Sequence, residues 1–177
     1  FTDSSGYGSA ARGYLESLDK SGVDIDLKVH NVAFEGSTKI SDEKKQLISK
    51  YSFKDSSDLK EWIKEPDYIL IWHLPAPSFY VHLERHKEVA NLTDVLLRGA
   101  KRIINLAAWE YDKLPLEWQK TWRDLCFDAT ITPSRWNQEV FQKTNPDKNH
   151  YLIPHTIKEY NNSSIKPKSI NEEMLED

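Results

Sequence analysis

Glu110 and His73 are the side chains of this chain best placed to move a proton. Glu110 follows the apolar run Ile103-Ile104-Asn105-Leu106-Ala107 and stands between Trp109 and Tyr111-Asp112. A carboxylate among aromatic rings at a strand end can bind or deprotonate a hydroxyl. The plainer reading is a glutamate that caps the next turn. His73 ends a second apolar run, Tyr68-Ile69-Leu70-Ile71-Trp72, and precedes Leu74-Pro75-Ala76-Pro77. An imidazole there can act as a base or hydrogen-bond a sugar hydroxyl. The plainer reading is a histidine bonded to backbone.

A glycine-rich segment adds a possible binding element. Gly6-Tyr7-Gly8-Ser9-Ala10-Ala11 reads as a tight turn opening a helix, where backbone can approach a ligand and the helix start favours anions. Arg12, one helical turn beyond Gly8, could return its guanidinium to the same place, or lie on a solvated face. The pattern meets the loose dinucleotide fingerprint. That fingerprint also wants an acid at the end of the next strand, and His30-Asn31-Val32-Ala33 supplies none before Glu35. Nicotinamide binding is therefore the weaker reading. His82 and His86 have metal-ligand spacing but lack a third ligand, so no metal is expected. No nucleophile elbow, phosphate-cradling loop or Cys-x-x-Cys pair is present, which disfavours serine hydrolases, P-loop enzymes and zinc modules.

These residues need elements to hold them. The first helix spans about 9–20, and Gly22 suits the left-handed residue beyond its end. Val23, Ile25, Leu27 and Val29 alternate with polar residues and predict a strand running on to Val32-Ala33. Ser41-Asp42-Glu43 caps a helix to about Tyr51, and Ser57-Asp58 caps a shorter one to about Lys64. The apolar run 68–72 predicts a parallel strand buried on both faces. Helical pieces follow over 78–88 and 92–99. Strands over 103–107, 129–132 and 151–153 alternate with helices over 115–127 and 134–143, the first of which Pro115 opens. The alternation predicts an α/β protein with a Rossmann-like parallel sheet and helices on both faces. Ligands of such sheets bind beyond the carboxyl ends of the strands. That rule selects the loops at 6–9, 32–36, 73–77, 109–115 and 132–134. A strand is also expected ahead of the glycine turn, so the first strand of the sheet is missing from this reading.

Composition fits one soluble domain. The 177 residues are 38% hydrophobic and 29% charged, with a formal net charge of −4. The charge gives no reason to expect nucleic acid as a partner. Six tryptophans are many for this length, and their planar faces suit sugar stacking as well as core packing. The single cysteine, Cys126, lies in an apolar stretch and fits a reducing, cytoplasmic setting. No apolar run is long enough to span a membrane.

Four segments together resemble the N-terminal domain of glycosyltransferases of the family 4-like group. They are Gly6-Tyr7-Gly8-Ser9-Ala10-Ala11-Arg12; Ala107-Ala108-Trp109-Glu110 with Leu114-Pro115 and Trp118; Asp128 through Asn137, which contains Thr132-Pro133-Ser134-Arg135-Trp136, with Val140-Phe141; and Tyr151-Leu152-Ile153-Pro154-His155. The resemblance covers residues 3–157. Thr156 departs from it, since the family often has glycine there. The resemblance implies a two-domain GT-B fold, in which residues 1–158 form the acceptor-side Rossmann-like domain. Residues 159–177 would be a linker and the start of a second, donor-binding domain. The implied activity is metal-independent transfer of a hexosyl or deoxyhexosyl unit from a nucleotide sugar to a glycan or polysaccharide. No cofactor beyond that co-substrate is implied. Gly6, Tyr7, Gly8, Arg12, Trp109, Ser134 and His155 would border the cleft as substrate-binding residues, and Glu110 and His73 would be catalytic. Little or no transfer is expected from this chain alone, because both walls of the cleft are needed. Peripheral membrane contact of a full-length protein stays open. So do two alternatives: a non-catalytic carbohydrate- or nucleotide-binding module, and a nicotinamide-dependent oxidoreductase domain.

Overall fold

In the computed structural model the described residues are 6–30, 40–64, 67–75, 97, 99–124 and 127–156. They form α1 (Gly6–Ser21), α2 (Asp42–Tyr51), α3 (Ser56–Trp62), β1 (Ile69–Trp72), β2 (Arg102–Leu106), α4 (Leu116–Asp124), β3 (Ala129–Thr132), α5 (Arg135–Thr144) and β4 (Asn149–Leu152). The strands build one sheet in the order β1-β2-β3-β4. Every pairing is parallel, with Ile69 opposite Arg102, Ile104 opposite Ala129 and Thr130 opposite His150. Helices flank the sheet, and the architecture is α/β and Rossmann-like. The pairing explains the connections, since parallel neighbours need a crossover, and α4 supplies it between β2 and β3 and α5 between β3 and β4. No helix among the described residues is long and apolar enough to cross a membrane.

Local chemistry sets most boundaries. The Ser134 hydroxyl caps α5 by accepting from the Asn137 N–H, and Ser41 caps α2 by accepting from Lys44. Asp55 caps α3 through Ser57 and Asp58, two residues earlier than the Ser57-Asp58 cap predicted. Gly22 takes φ 68° just beyond α1, a conformation that disfavours a Cβ. The Pro115 carbonyl accepts from Trp118 and Gln119, so the proline stands ahead of α4 rather than inside it.

The main core joins β1 and the segment after β2 to α4 and α5. Trp72, Ala107, Leu114, Trp118, Trp122, Phe127, Val140 and Phe141 are its buried members. Each large side chain so buried contributes about 2–3 kcal/mol of transfer free energy. A second cluster holds α1 against α2 through Leu15, Val29 and Ile48. Tryptophan is thus mostly structural here, with Trp72, Trp118 and Trp122 buried and Trp136 44% exposed.

Three expectations are corrected. The alternation at 23–33 does not yield a strand among its described residues. Only Val29 makes a bridge, parallel to Ser52, while Val23 and Ile25 are exposed. A strand is a paired structure, and its β-branched side chains form one only where a neighbouring ladder receives them. The glycine segment is not a turn ahead of a helix, because Gly6 and Gly8 lie inside the first turn of α1. Strand β1 is not covered on both faces, since Ile69 and Ile71 are exposed. The 32–36 loop, the 78–88 helix, His82, His86, Cys126 and the 159–177 segment lie outside the described residues.

Candidate functional site

Tyr7 joins the start of α1 to the carboxyl end of β2. Its hydroxyl donates to the Ala108 carbonyl at 3.0 Å and accepts from the Ala108 N–H at 3.2 Å. Burial raises the Tyr7 pKa above the ordinary 10, and the nearby Glu110 carboxylate adds to the rise against the opposing backbone bond to Ala108. Tyr7 is therefore a neutral phenol at physiological pH.

Asn137, buried on the first turn of α5, fixes the next residue of that segment. Its Oδ1 accepts from the Trp109 N–H at 2.7 Å, and its Nδ2 donates to the Trp109 carbonyl at 3.1 Å. One side-chain amide thereby satisfies both backbone groups of Trp109, as a neighbouring strand would. The Trp109 indole N–H donates to the Lys113 carbonyl at 2.8 Å, and its ring packs against Trp118 and Tyr111. These restraints leave a cavity of about 160 Å³ lined by Tyr7, Pro75, Ala108, Trp109, Glu110, Tyr111 and Trp118. Glu110 is exposed at its edge, not hemmed in by the rings.

A second polar group gathers beyond β1. The Asn105 amide, wholly buried on β2, donates to the carbonyls of Trp72 and Leu74 at 3.0 and 3.1 Å and so clamps the backbone on either side of His73. The imidazole packs against Tyr7 and Tyr14, with ring centroids 5.5 and 5.8 Å away. Burial, reinforced by the nearby His155, lowers the His73 pKa to about 4. It is thus neutral near pH 7 and a weak base there, better suited to hydrogen bonding than to proton abstraction. The Tyr14 hydroxyl donates to the Ile153 carbonyl at 3.3 Å and meets His155 Nδ1 at 3.1 Å. This ties the chain leaving β4 to α1. Thr156 lies beside Gly13, where a Cβ would come within 2.3 Å of the threonine Oγ1.

The expected residues therefore divide. Tyr7, Trp109 and Glu110 meet at one cavity. Gly8 and His73 line a neighbouring groove of about 260 Å³, and Tyr7 borders both. Gly6, Arg12 and His155 line neither, although His155 reaches His73 through Tyr14. Ser134 also lines neither, and its hydroxyl is engaged as a helix cap. Placing Gly6 and Gly8 within the helix also removes the turn that the dinucleotide fingerprint requires. Among the described residues no three His, Cys, Asp or Glu side chains are placed to hold a metal ion. Tyr14, Asn105 and Asn137 escape sequence reasoning. Each acts on a partner far along the chain, which no local pattern announces.

No protein-family model, curated protein or solved structure matches the chain.

Proposed function

We propose that the cavity beside Glu110 binds a sugar ring, and that the chain is the acceptor-binding half of a nucleotide-sugar-dependent glycosyltransferase. One observation carries the reading: a ring-sized cavity at the carboxyl ends of parallel strands combines aromatic faces with an exposed carboxylate. Pyranose rings have apolar C–H faces and a hydroxyl rim. Aromatic rings take the faces, and a carboxylate accepts from two hydroxyls. At about 160 Å³ the space is below the roughly 300–1,000 Å³ of drug-sized sites, so it suits one sugar unit of a longer glycan.

In transfer, the acceptor hydroxyl attacks the anomeric carbon of the donor. The bond from that carbon to the nucleotide phosphate breaks, and the hydroxyl proton passes to the Glu110 carboxylate. Tyr7 and the neutral His73 position hydroxyls. The donor, a hexosyl or deoxyhexosyl nucleotide, would be held by a second domain. One observation favours a second reading, sugar recognition without turnover: Glu110 and His73 line different cavities.

The test is a titration of glycans and nucleotide sugars followed by tryptophan fluorescence, with turnover assayed in parallel. Saturable glycan binding is expected, weakened roughly tenfold, about 1.4 kcal/mol, by Glu110→Gln or by Tyr111→Ala. Tyr111 is 65% exposed, so its removal leaves the fold intact. Absence of glycan binding, or binding indifferent to both substitutions, would refute the sugar site.

A further inference from the structure

The cavity beside Glu110 is one-sided in charge. Among the described residues its lining holds one carboxylate and no lysine, arginine or histidine. Glu110 itself has no ion-pair partner among them. Its negative field reaches the Tyr7 hydroxyl, where it adds to the rise that burial imposes on the phenol pKa. Four other lining residues are aromatic: Tyr7, Trp109, Tyr111 and Trp118. Trp109 is tilted 55° from Trp118 and 52° from Tyr111, so these rings do not stack face on face. Trp118 is 6% exposed and Tyr111 65%, which gives the cavity a dry side and an open one. The face of an aromatic ring is the negative end of its quadrupole, and a desolvated cation is attracted to it. Rings and carboxylate therefore favour the same sign of charge in a ligand.

We infer that the sugar unit held in this cavity is an amino sugar, whose protonated amine lies between the Glu110 carboxylate and the ring faces. The inference rests on the sugar reading above and names the class of sugar. An ammonium group donates hydrogen bonds and accepts none, and a carboxylate only accepts. One Glu110 oxygen takes the amine, and the other takes the neighbouring ring hydroxyl. A bond between two charged groups is the stronger kind, and contact with the rings adds cation–π attraction. Specificity is a difference of affinities, so the competitors matter as much. A neutral hexose leaves the Glu110 charge without a counter-charge. N-acetylation removes the cation and adds bulk to a space of about 160 Å³. A uronic acid or a phosphorylated sugar brings a second anion to a lining with no basic side chain among the described residues.

The test titrates the whole 177-residue chain, by tryptophan fluorescence, with a glucosamine tetramer, its fully N-acetylated counterpart and a glucose tetramer. The glucosamine tetramer is expected to bind at least roughly tenfold tighter than either of the others. Glu110→Gln should bring that ratio to about unity. Glu110 is exposed, so the substitution leaves the fold intact. Asp147→Asn removes an exposed carboxylate ahead of β4, at the opposite end of the sheet, and should leave the ratio unchanged. Equal affinity for the three glycans, each weakened by Glu110→Gln, overturns the amino-sugar assignment and leaves the sugar site standing. A preference that survives Glu110→Gln, or that falls equally with Asp147→Asn, overturns it as attraction of a polycation to an acidic surface. Absence of binding by all three glycans overturns the sugar reading and this inference with it.

Discussion

His73 should make the protein lose stability in mild acid, in a window set by two numbers. An ordinary imidazole titrates at 6.5, and His73 in the folded protein titrates at about 4. Above pH 6.5 both states carry a neutral ring, and there is no penalty. As pH falls through 6.5 the unfolded chain binds a proton that the folded chain refuses, so stability falls. The loss is complete below pH 4, where it reaches about 3.4 kcal/mol. At pH 4.5 it is roughly 2.5 kcal/mol, a large share of the roughly 5–15 kcal/mol typical of a domain. His30, which burial also lowers, contributes in the same direction. Asp19 and Asp55, held below the ordinary 3.8 by their hydrogen bonds, lose their contribution only at more acidic pH. The assay is urea unfolding at pH 7.5, 6, 5 and 4.5 for wild type and His73→Gln. The variant keeps the His30 slope and sheds that of His73. If both proteins lose the same stability between pH 7.5 and 4.5, within about 0.5 kcal/mol, His73 is not the buried neutral ring argued for here.

Two further substitutions separate positioning from contact. Asn137→Ala leaves the Trp109 N–H and carbonyl without their partner, and should cost about 2–4 kcal/mol in urea unfolding while altering the near-ultraviolet circular dichroism of Trp109. Ser134→Ala should cost about 1 kcal/mol through loss of the α5 cap yet leave glycan affinity unchanged, as titration of the variant would show.

What could be read from the sequence was whatever depends on neighbours in the chain. The Ser41 cap, the Gly22 terminator and strands β2 and β3 follow from local chemistry and periodicity, and they place the loops at the carboxyl end of the sheet, whereas Ser134, read as a cleft residue, proves to be the cap of α5. Segment 23–29 failed because its alternating pattern needs a partner ladder, which only Val29 finds. Gly6 and Gly8 failed because glycine permits a turn without requiring one. Tyr14, Asn105 and Asn137 were hidden for a related reason. Asn105 reaches 31 and 33 residues back, Asn137 reaches 28, and the hydroxyl of Tyr14 crosses 139 residues to Ile153. No local period encodes such contacts.

Two of those hidden residues, Asn105 and Asn137, share with the expected Tyr7 a task that the candidate catalytic residues cannot perform for themselves. Asn105 clamps the backbone around His73, Asn137 clamps Trp109, and Tyr7 clamps Ala108. Each replaces a strand's worth of backbone pairing with one polar side chain, at the point where the regular sheet ends. Apolar packing alone would hold these loops only loosely, because it is non-directional. Buried amides and a half-buried phenol fix both position and orientation, and leaving any of their partners unpaired is costly. The side chains that face the cavities, Glu110 and His73, are thereby held by bonds made to the backbone around them and not by bonds to themselves. Their polar atoms remain available to a ligand, which is the arrangement a binding site at the end of a parallel sheet requires.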